Sequence, residues 1–292
     1  MTLYPKLSRF FLCIAAILIV VFGCSDDKSG NPVPADFVYP LEVGNVWEYF
    51  GVMRTFNVQP DSLMDDYGYL IDEESRVEIV KDTTLMDSIE VSTFGERLIQ
   101  QGTEVDTFYT ESYLRNLDDG LHCYGSTGIN AKATPLKDNP NKIYFEFKGR
   151  KFNSLGEIKD FFTRNIPGIS LGYDSVAANP RRCLQYPLKV GEQWAVYDDP
   201  DDIVIDKKVI GTATVKIGTR SFSCLKIQWL WDLDNDGEWD EEMEYFDYIS
   251  TVGLVKRHII IRDFKITSAE SPAPIGSYDF EEKFELEDYS VE

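Results

Sequence analysis

One acidic loop in the second half of the chain holds the residues best suited to do chemistry. Its aspartates stand at alternate positions and Gly237 follows them, as in the first half of a calcium-binding loop. Calcium takes six to eight hard oxygen ligands, and alternate carboxylates in a tight loop converge on one point. The candidate metal ligands are Asp232, Asp234, Asp236, Glu238 (through its backbone carbonyl) and Asp240.

The loop departs from an EF-hand in two respects. Met243 stands at the twelfth position, where an EF-hand has a bidentate Glu, and the flanking segments are typical of strands rather than helices. We therefore expect a β-hairpin loop closed by Asp240 or Glu242, in which calcium stabilises the fold and takes no part in catalysis. The alternative is an acidic hairpin tip exposed to solvent, because Asp, Asn and Gly are turn residues in their own right.

Residues for nucleophilic or zinc chemistry are scarce. The two histidines, His122 and His258, lie on separate strand-like segments and lack the paired spacing of a zinc site. The chain has no GxSxG, P-loop or dinucleotide-binding motif. Among 50 acidic residues a carboxylate pair for hydrolysis stays open as an alternative, but the sequence singles none out. The sequence therefore favours a protein that is not an enzyme.

The first residues are typical of a secretory signal. Lys6 and Arg9 precede an apolar run over residues 10–22. These thirteen residues are too few to span a bilayer, for which a helix needs about 20. Residues 21–24, Val-Phe-Gly-Cys, resemble the lipobox of bacterial lipoproteins, whose Cys is lipidated, with palmitate among the attached chains. Phe22 departs from that pattern, and an ordinary signal peptide cut nearby is the alternative.

The resemblance implies a mature chain that Cys24 anchors in the bacterial cell envelope, and Ser25 is compatible with the outer membrane. Residues 25–36 lack apolar periodicity and are typical of a flexible tether. Once the signal is removed, 27 of the 29 basic residues remain against 50 acidic ones, a formal charge of −23. Such a surface repels phosphate backbones, so we exclude nucleic acid as a partner, whereas the lipid anchor contacts the membrane.

Three cysteines remain besides the anchor: Cys123, Cys183 and Cys224. Because three is odd, at most one disulfide forms among them. Buried free thiols and a Cys183–Cys224 bridge are both open from the sequence alone. No CxxC pair or metal-type Cys/His spacing is present.

An internal repeat divides the chain. Residues 39–49 recur at 186–197, with Tyr, Pro, Leu, Val, Gly and Trp matching at an offset of 147. A period this long predicts two related halves. In each copy Pro blocks strand pairing and Gly permits a tight turn, so that Trp47 or Trp194 then opens a strand as a core residue. Carbohydrate stacking on these two tryptophans is the alternative.

Most of the remaining sequence has a strand pattern. The strand-like segments are 75–80, 88–94, 104–113, 143–147, 207–217, 222–231, 243–249 and 254–261. In 222–231 the large apolar residues alternate with Cys224, Lys226 and Gln228, which predicts a half-buried antiparallel strand.

One short helix is predicted between the halves. Ser154 and Glu157 form a capping box, and Leu155, Ile158 and Phe162 follow at helical spacing. The predicted parts, in order, are a signal peptide (1–23), the lipidated Cys with its tether (24–36), a first β half (37–130), an insert with the helix (131–180), and a second β half with the acidic loop (181–292).

These motifs also resemble a group of bacterial lipoproteins of unknown function. That group has Pro-Leu-x-x-Gly-x-x-Trp-x-Tyr near the start, here at 40–49, and Gly-Leu-Val-Lys after an aromatic-rich strand, here at 253–256. The resemblance covers 39–50 and 186–262. It implies a mainly β fold, a curved antiparallel sheet or open half-barrel similar to that of lipoprotein carriers, and it implies no activity. We therefore expect a non-catalytic envelope lipoprotein that binds an apolar ligand or a protein partner; the alternative is a secreted carboxylate-dependent hydrolase.

Overall fold

The computed structural model describes residues 33–86, 88–101, 105–129, 143–159, 161–162, 180–199, 203–271 and 273–292. The predicted signal peptide, Cys24 and most of the predicted tether lie outside these ranges. Within them, no helix is long and apolar enough to cross a membrane.

Strands make up nearly all of the regular structure. In chain order they are β1 (Val46–Gln59), β2 (Leu70–Leu85), β3 (Ile89–Gln101), β4 (Val105–Leu117), β5 (Gly120–Ile129), β6 (Ile143–Phe147), β7 (Arg150–Phe152), β8 (Arg181–Gln185), β9 (Gln193–Asp199), β10 (Ile203–Ile217), β11 (Arg220–Asp232), β12 (Met243–Ser250), β13 (Gly253–Ser268) and β14 (Gly276–Ser290). The helical elements are a 3-10 turn (Asp61–Leu63), α1 (Met64–Tyr67) and α2 (Leu155–Lys159). The mainly β fold with a short helix between two halves is confirmed.

The strands form one antiparallel sheet. Its order is β8-β5-β4-β3-β2-β1-β14-β13-β12-β11-β10-β9, while β6 pairs with β13 and β7 with β6. Each half runs as an up-and-down meander, because consecutive strands in the chain are neighbours in the sheet. The halves join where β1 pairs with β14.

The sheet curves until its two ends, β8 and β9, approach each other. Side chains bridge this gap, which we call the seam. Trp194 Nε1 donates a 3.3 Å hydrogen bond to the carbonyl oxygen of Arg182, and Lys207 Nζ donates a 2.9 Å hydrogen bond to that of Cys183. The architecture is therefore a curved, nearly closed antiparallel sheet, which agrees with the predicted class.

The internal repeat of the sequence is also a repeat of structure. The N–H of Gly44 donates to the carbonyl of Ile79 on β2 (2.9 Å), and the N–H of Gly191 donates to that of Val209 on β10 (2.7 Å). Both glycines have positive φ angles, 98° and 93°, which residues with a Cβ rarely adopt. Each copy of the motif thus docks its turn onto a neighbouring strand in the same way.

The two tryptophans of the repeat belong to the core. Trp47 is 0% exposed and Trp194 is 5% exposed. The indole of Trp47 donates a 2.6 Å hydrogen bond to the carbonyl of Val252, so its polar atom is also satisfied inside. The core interpretation is confirmed, and neither ring offers a face for carbohydrate stacking.

Some elements differ from the prediction. The patterns missed β5, β7, β8 and β14 and the four-residue helix α1. Cys224, expected on the exposed face of β11, is buried together with the adjacent Leu225. The paired strand β10 has a register shift nearby, between Val209 and Gly211.

Candidate functional site

A cavity of about 300 Å³ lies on the concave side of the sheet. Most of its wall is apolar and comes from both halves: Tyr49, Val77, Phe94, Leu98, Leu114, Leu121, Leu184, Ile249, Leu254 and Phe284. Small-molecule pockets span about 300–1,000 Å³, so this one is at the lower end of that range. The inward side chains of the two halves therefore leave room for a small molecule.

A row of polar side chains crosses the second half at this cavity. Lys207 on β10 stands opposite Trp229 on β11, and Asp247 on β12 stands opposite Arg257 on β13. Opposite residues in antiparallel strands have Cβ atoms about 4.5–5.5 Å apart and project from the same face of the sheet. All four side chains line the cavity.

Asp247 is the centre of this row. Arg257 donates two hydrogen bonds to its carboxylate, from Nε (2.7 Å) and from Nη2 (3.1 Å), and Trp229 Nε1 donates a third (2.8 Å). Burial alone raises the pKa of Asp247, but the attraction of Arg257 outweighs burial and holds the pKa below its usual value. Asp247 is therefore ionised, and Arg257 is its closest counter-ion.

Lys207 adds a second positive charge to the row. Its side chain is 6% exposed, and Nζ lies 3.7 Å from the ring centroid of Trp229 and 4.0 Å from Asp247 Oδ2. Burial lowers the pKa of Lys207 to about 8, because the attraction of Asp247 offsets only part of the lost hydration. The row thus contains two cationic side chains and one anionic side chain.

The charge of the cavity is opposite in sign to that of the chain. Four basic residues line it (Lys159, Arg181, Lys207 and Arg257) against three acidic ones (Glu96, Asp247 and Glu282). In the whole chain 29 basic residues stand against 50 acidic ones. The fold therefore places an excess of basic side chains in the wall of this apolar cavity.

Helix α2 brings Lys159 into the cavity wall. The helix begins as its capping box predicts, with the N–H of Glu157 donating to Ser154 Oγ at 3.1 Å. Lys159 forms ion pairs with Glu282 (3.1 Å) and Glu73, and all three residues are at most 2% exposed. Two carboxylates surround this ammonium group, so Lys159 is not the source of the excess positive charge.

Two cysteines lie in the cavity wall. The thiol of Cys123 on β5 donates to the carbonyl of Gly125 (3.4 Å), and the thiol of Cys183 on β8 contacts the carbonyl of Arg181 at 3.9 Å. Cys224 lies on β11, where its thiol contacts the carbonyl of Phe222 at 3.7 Å. All three are free thiols. The Cys183–Cys224 bridge considered from the sequence is absent, because Cys183 on β8 and Cys224 on β11 are on strands that do not pair.

The acidic loop connects β11 to β12. Asp232, Asp234 and Asp236 each bring one carboxylate oxygen within 4.8 Å of the others. Asp232 also accepts the N–H groups of Asp236 (3.1 Å) and Gly237 (2.9 Å), which fixes the turn. An ionised carboxylate has about four lone-pair sites, so these bonds leave others for a cation. The three aspartates fit calcium in charge and in ligand type.

The other two predicted ligands are placed differently. One oxygen of Asp240 accepts a backbone N–H (3.0 Å), and the other pairs with Lys148 (3.0 Å), which also pairs with Glu242 (3.1 Å). Glu238 is exposed, and its N–H donates to Asp236 Oδ1 (2.9 Å). Asp240 is therefore paired with Lys148, which lies in the β6–β7 hairpin. The sequence of the acidic loop alone could not predict this contact.

The histidines take part in two separate ion pairs. His122 Nε2 lies 2.9 Å from Asp119 Oδ1, and His258 Nε2 lies 2.8 Å from Glu281 Oε1. Neither is among the described residues that line the cavity. The two histidines therefore have separate structural partners, one in the β4–β5 turn and one on β14.

The chain matches no family model and no curated protein. One similar solved structure is a Bacteroides fragilis protein described as exported, with a YmcC-like fold: it is 9% identical, the match covers 87% of this chain and 99% of that chain, and the TM-score is 0.30. Another is DynF from the dynemicin biosynthesis pathway of Micromonospora chersina, 9% identical over 89% and 93% of the two chains, with a TM-score of 0.21. At these TM-scores neither likeness bears on function.

Proposed function

We propose that this chain is a non-catalytic lipoprotein of the bacterial cell envelope, anchored through Cys24, that binds a small apolar molecule with an acidic group. The observation that carries this proposal is the apolar cavity with Lys207, Arg257 and a single balancing carboxylate, Asp247, in its wall. The outer membrane as the site of anchoring is part of the same proposal and rests on the sequence around Cys24.

The packing around the tryptophans favours ligand binding over a purely scaffolding role. Trp47 and Trp194 fill the core at the start of their strands, whereas Trp229 faces an open space. Protein interiors are normally packed as densely as organic crystals. A cavity of about 300 Å³ lined by leucine and aromatic side chains is therefore a feature that a bound molecule would fill.

The charges in the wall define the polar end of the ligand. Lys207 shares the carboxylate of Asp247 with Arg257, so the desolvation of its ammonium group is only partly offset. A carboxylate beside Lys207 would offset this cost and would restore the proton affinity that burial removes. The apolar wall would then take the hydrocarbon part. A fatty acid of medium length has this chemistry.

The acidic side chains of the cavity support binding rather than hydrolysis. Asp247 is held by Arg257, Glu282 pairs with Lys159, and Glu96 accepts the hydroxyl of Ser75 at 2.8 Å. A glycosidase-type mechanism needs one carboxylic acid and one carboxylate that are able to reach the substrate. All three cavity carboxyls are engaged by other side chains, so the hydrolase alternative gains no support.

Calcium in the acidic loop is a second part of the proposal. Three carboxylates at the tip of the β11–β12 hairpin provide hard oxygen ligands, and water and backbone carbonyls would complete the shell. Asp240, held by Lys148, would not take part. The ion would stabilise the hairpin that carries Trp229 and Asp247, and it would have no catalytic role.

Native mass spectrometry of the lipidated chain, released in mild detergent, tests the binding proposal. We expect added dodecanoate to form a one-to-one complex and dodecanol, its neutral counterpart, to bind more weakly. Equal binding of the two would contradict the acidic-group assignment. Binding of neither, together with no co-purified molecule, would contradict the binding function itself.

A further inference from the structure

The internal repeat continues from its opening motif into the strands that follow. Ile79 on β2 and Val209 on β10 each exchange two backbone hydrogen bonds with the turn of their own copy of the motif, so the two residues are equivalent. A register shift follows each of them, between Ile79 and Lys81 and between Val209 and Gly211. The pairs β2–β3 and β10–β11 therefore correspond residue by residue at this point.

This correspondence gives the polar row of the second half a counterpart in the first half. Val77 lies two residues before Ile79 and stands opposite Glu96 on β3. In the same positions of the second half, Lys207 stands opposite Trp229. Val77 is therefore the counterpart of Lys207, and Glu96 is the counterpart of Trp229.

The next strand in each half follows the same register. Phe94 pairs with Ile79 on one side and with Ser112 of β4 on the other. Ile227 has the equivalent place in the second half, where its partner on β12 is Asp247. Ser112 is therefore the counterpart of Asp247.

A second serine completes the row of the first half. Ser112 stands opposite Ser126 on β5, as Asp247 stands opposite Arg257 on β13. In both halves a register shift follows one residue after Ser112 or Asp247. All members of the row in the first half line the cavity: Val77, Glu96, Ser112 and Ser126.

The two rows lie on opposite walls of the cavity. In the sheet order, five strands separate β4 from β12, in whichever direction around the nearly closed sheet they are counted. The same separation holds for β3 and β11 and for β5 and β13. A molecule whose acidic group lies beside Lys207 would therefore extend towards Glu96 and the two serines.

The row of the first half differs in chemistry from that of the second half. Its only charged group is Glu96, whose carboxylate accepts the hydroxyl of Ser75 at 2.8 Å. A carboxylate has about four acceptor sites, and each serine hydroxyl both donates and accepts hydrogen bonds. With Ser112 and Ser126 beside it, Glu96 forms part of a wall that can accept one hydrogen bond from a ligand and donate another, as an alcohol group requires.

We infer that the ligand of this cavity is a hydroxy acid whose two polar groups are far apart. Its carboxylate lies beside Lys207 and Arg257. Its hydroxyl, at the other end of the chain, donates to Glu96 and accepts from Ser112 or Ser126. The apolar wall takes the methylene groups between them. This inference rests on the proposed function and names the second polar group of the same ligand.

Titration calorimetry of the full chain in mild detergent compares three acids of equal chain length. We expect 12-hydroxydodecanoate to bind about 10-fold more tightly than dodecanoate, as for a hydrogen bond to a charged acceptor. The hydroxyl of 2-hydroxydodecanoate adjoins the carboxylate, so this acid should bind no more tightly than dodecanoate. An equal gain from the two hydroxyl positions would overturn the inference.

The same titrations separate this inference from the proposed function. If 12-hydroxydodecanoate binds no more tightly than dodecanoate, the hydroxyl assignment is wrong while binding of an apolar acid stands. If none of the three acids binds, the proposed function is contradicted together with the inference.

Variants show whether the first half reads the hydroxyl. The measure is the ratio of the affinities for 12-hydroxydodecanoate and dodecanoate, because partition of each acid into detergent is the same for every variant. Glu96→Leu should lower this ratio about 10-fold, and the double variant Ser112→Ala, Ser126→Ala should lower it about 3-fold. Glu78→Leu, on the other face of β2 with a side chain 43% exposed, is the control and should keep the ratio.

The two cavity variants also protect the test against a folding defect. If Glu96→Leu fails to fold, the double serine variant decides, because it removes two hydroxyl groups and adds no bulk. An unchanged ratio in whichever of these variants folds would overturn the inference.

Discussion

The backbone N–H of Tyr39 donates a 2.8 Å hydrogen bond to the phenolic oxygen of Tyr186, its own counterpart in the internal repeat. The same hydroxyl donates to Asn116 Oδ1 (2.7 Å), and Asn116 Nδ2 donates to the carbonyl of Tyr39 (2.8 Å). The two copies of the motif therefore contact each other directly, and one asparagine from β4 links them. This small network joins the beginnings of the two halves.

Removal of the Tyr186 hydroxyl should weaken this junction. Tyr186→Phe deletes one donor and one acceptor, and it leaves the N–H of Tyr39 without its partner. Leaving a buried polar group unsatisfied costs about 1–3 kcal/mol, so we expect the urea midpoint to fall with an unchanged slope. Tyr289→Phe, at a partly exposed ring, is the matched control and should change the free energy of unfolding by less than about 0.5 kcal/mol. Equal effects of the two variants would contradict the assigned role.

The buried ion pairs of Lys159 give a larger effect. Lys159→Met removes the ammonium group that Glu73 and Glu282 share, in a place where all three residues are at most 2% exposed. Removing one partner of a buried ion pair costs about 3–5 kcal/mol. Lys151→Met, whose side chain is 62% exposed, should cost far less. Similar urea midpoints for the two variants would show that α2 is not anchored as described.

Calcium should raise the melting temperature through the acidic loop. A ligand at 100 times its dissociation constant stabilises the folded state by about 2.7 kcal/mol, which corresponds to roughly 5–10 °C for a chain of this size. Asp234→Asn removes one exposed carboxylate of the cluster and should abolish the rise, whereas Asp65→Asn, on the exposed helix α1, should keep it. No shift at millimolar calcium in the unmodified chain would end the calcium proposal.

The local sequence pattern predicted those strands in which apolar and polar residues alternate without interruption. The turn with Gly44 and the alternating residues of β11 are local signals, and both were read correctly apart from Cys224. Strand β14 was missed although Tyr278 and Phe280 alternate, because Glu282 occupies the next inward position. That glutamate is buried only because Lys159 reaches it from α2, and no local pattern contains this contact.

The cavity could not be predicted for the same reason. The spacing of Ile205 and Val209 puts Lys207 rather than Lys208 on their face of the strand, but nothing in the sequence says which residues of other strands it meets there. The pairing of β10 with β11 places Lys207 against Trp229, and the pairing of β12 with β13 adds Asp247. The acidic loop, in contrast, is continuous in sequence, so the clustering of Asp232, Asp234 and Asp236 could be expected in advance.

Lys207 should control the affinity for an acidic ligand. Lys207→Met keeps the length of the side chain and removes its charge, so we expect dodecanoate to bind about 10–100-fold more weakly, as for loss of a charge-assisted hydrogen bond. Dodecanol binding should be unchanged or stronger. Lys208→Met, on the opposite face of β10, is the matched control and should bind both ligands normally. Titration calorimetry measures all of these affinities, and a dodecanoate affinity unaffected by Lys207→Met would contradict the assignment.

The same lysine should make binding depend on pH in the alkaline range. Because burial lowers the pKa of Lys207 to about 8, the side chain is charged below that pH and neutral above it. Between that pKa and the ordinary lysine pKa of about 10.4, the folded state binds fewer protons than the unfolded state. The free-energy cost of burying the charged ammonium group is therefore present below pH 8 and disappears as the pH rises. Dodecanoate stays ionised throughout, and its affinity should therefore fall as the pH rises above 8.

Proton uptake distinguishes this explanation from a general loss of structure. A bound carboxylate favours the charged form of Lys207 and raises its pKa, so binding near pH 8 to 9 should take up a fraction of one proton. Calorimetry in two buffers of different ionisation enthalpy measures that uptake. The pKa of Cys183, about 6, lies below this window, so its titration adds little. In Lys207→Met both the uptake and the fall in affinity should vanish; if the fall persists there, another group controls the site.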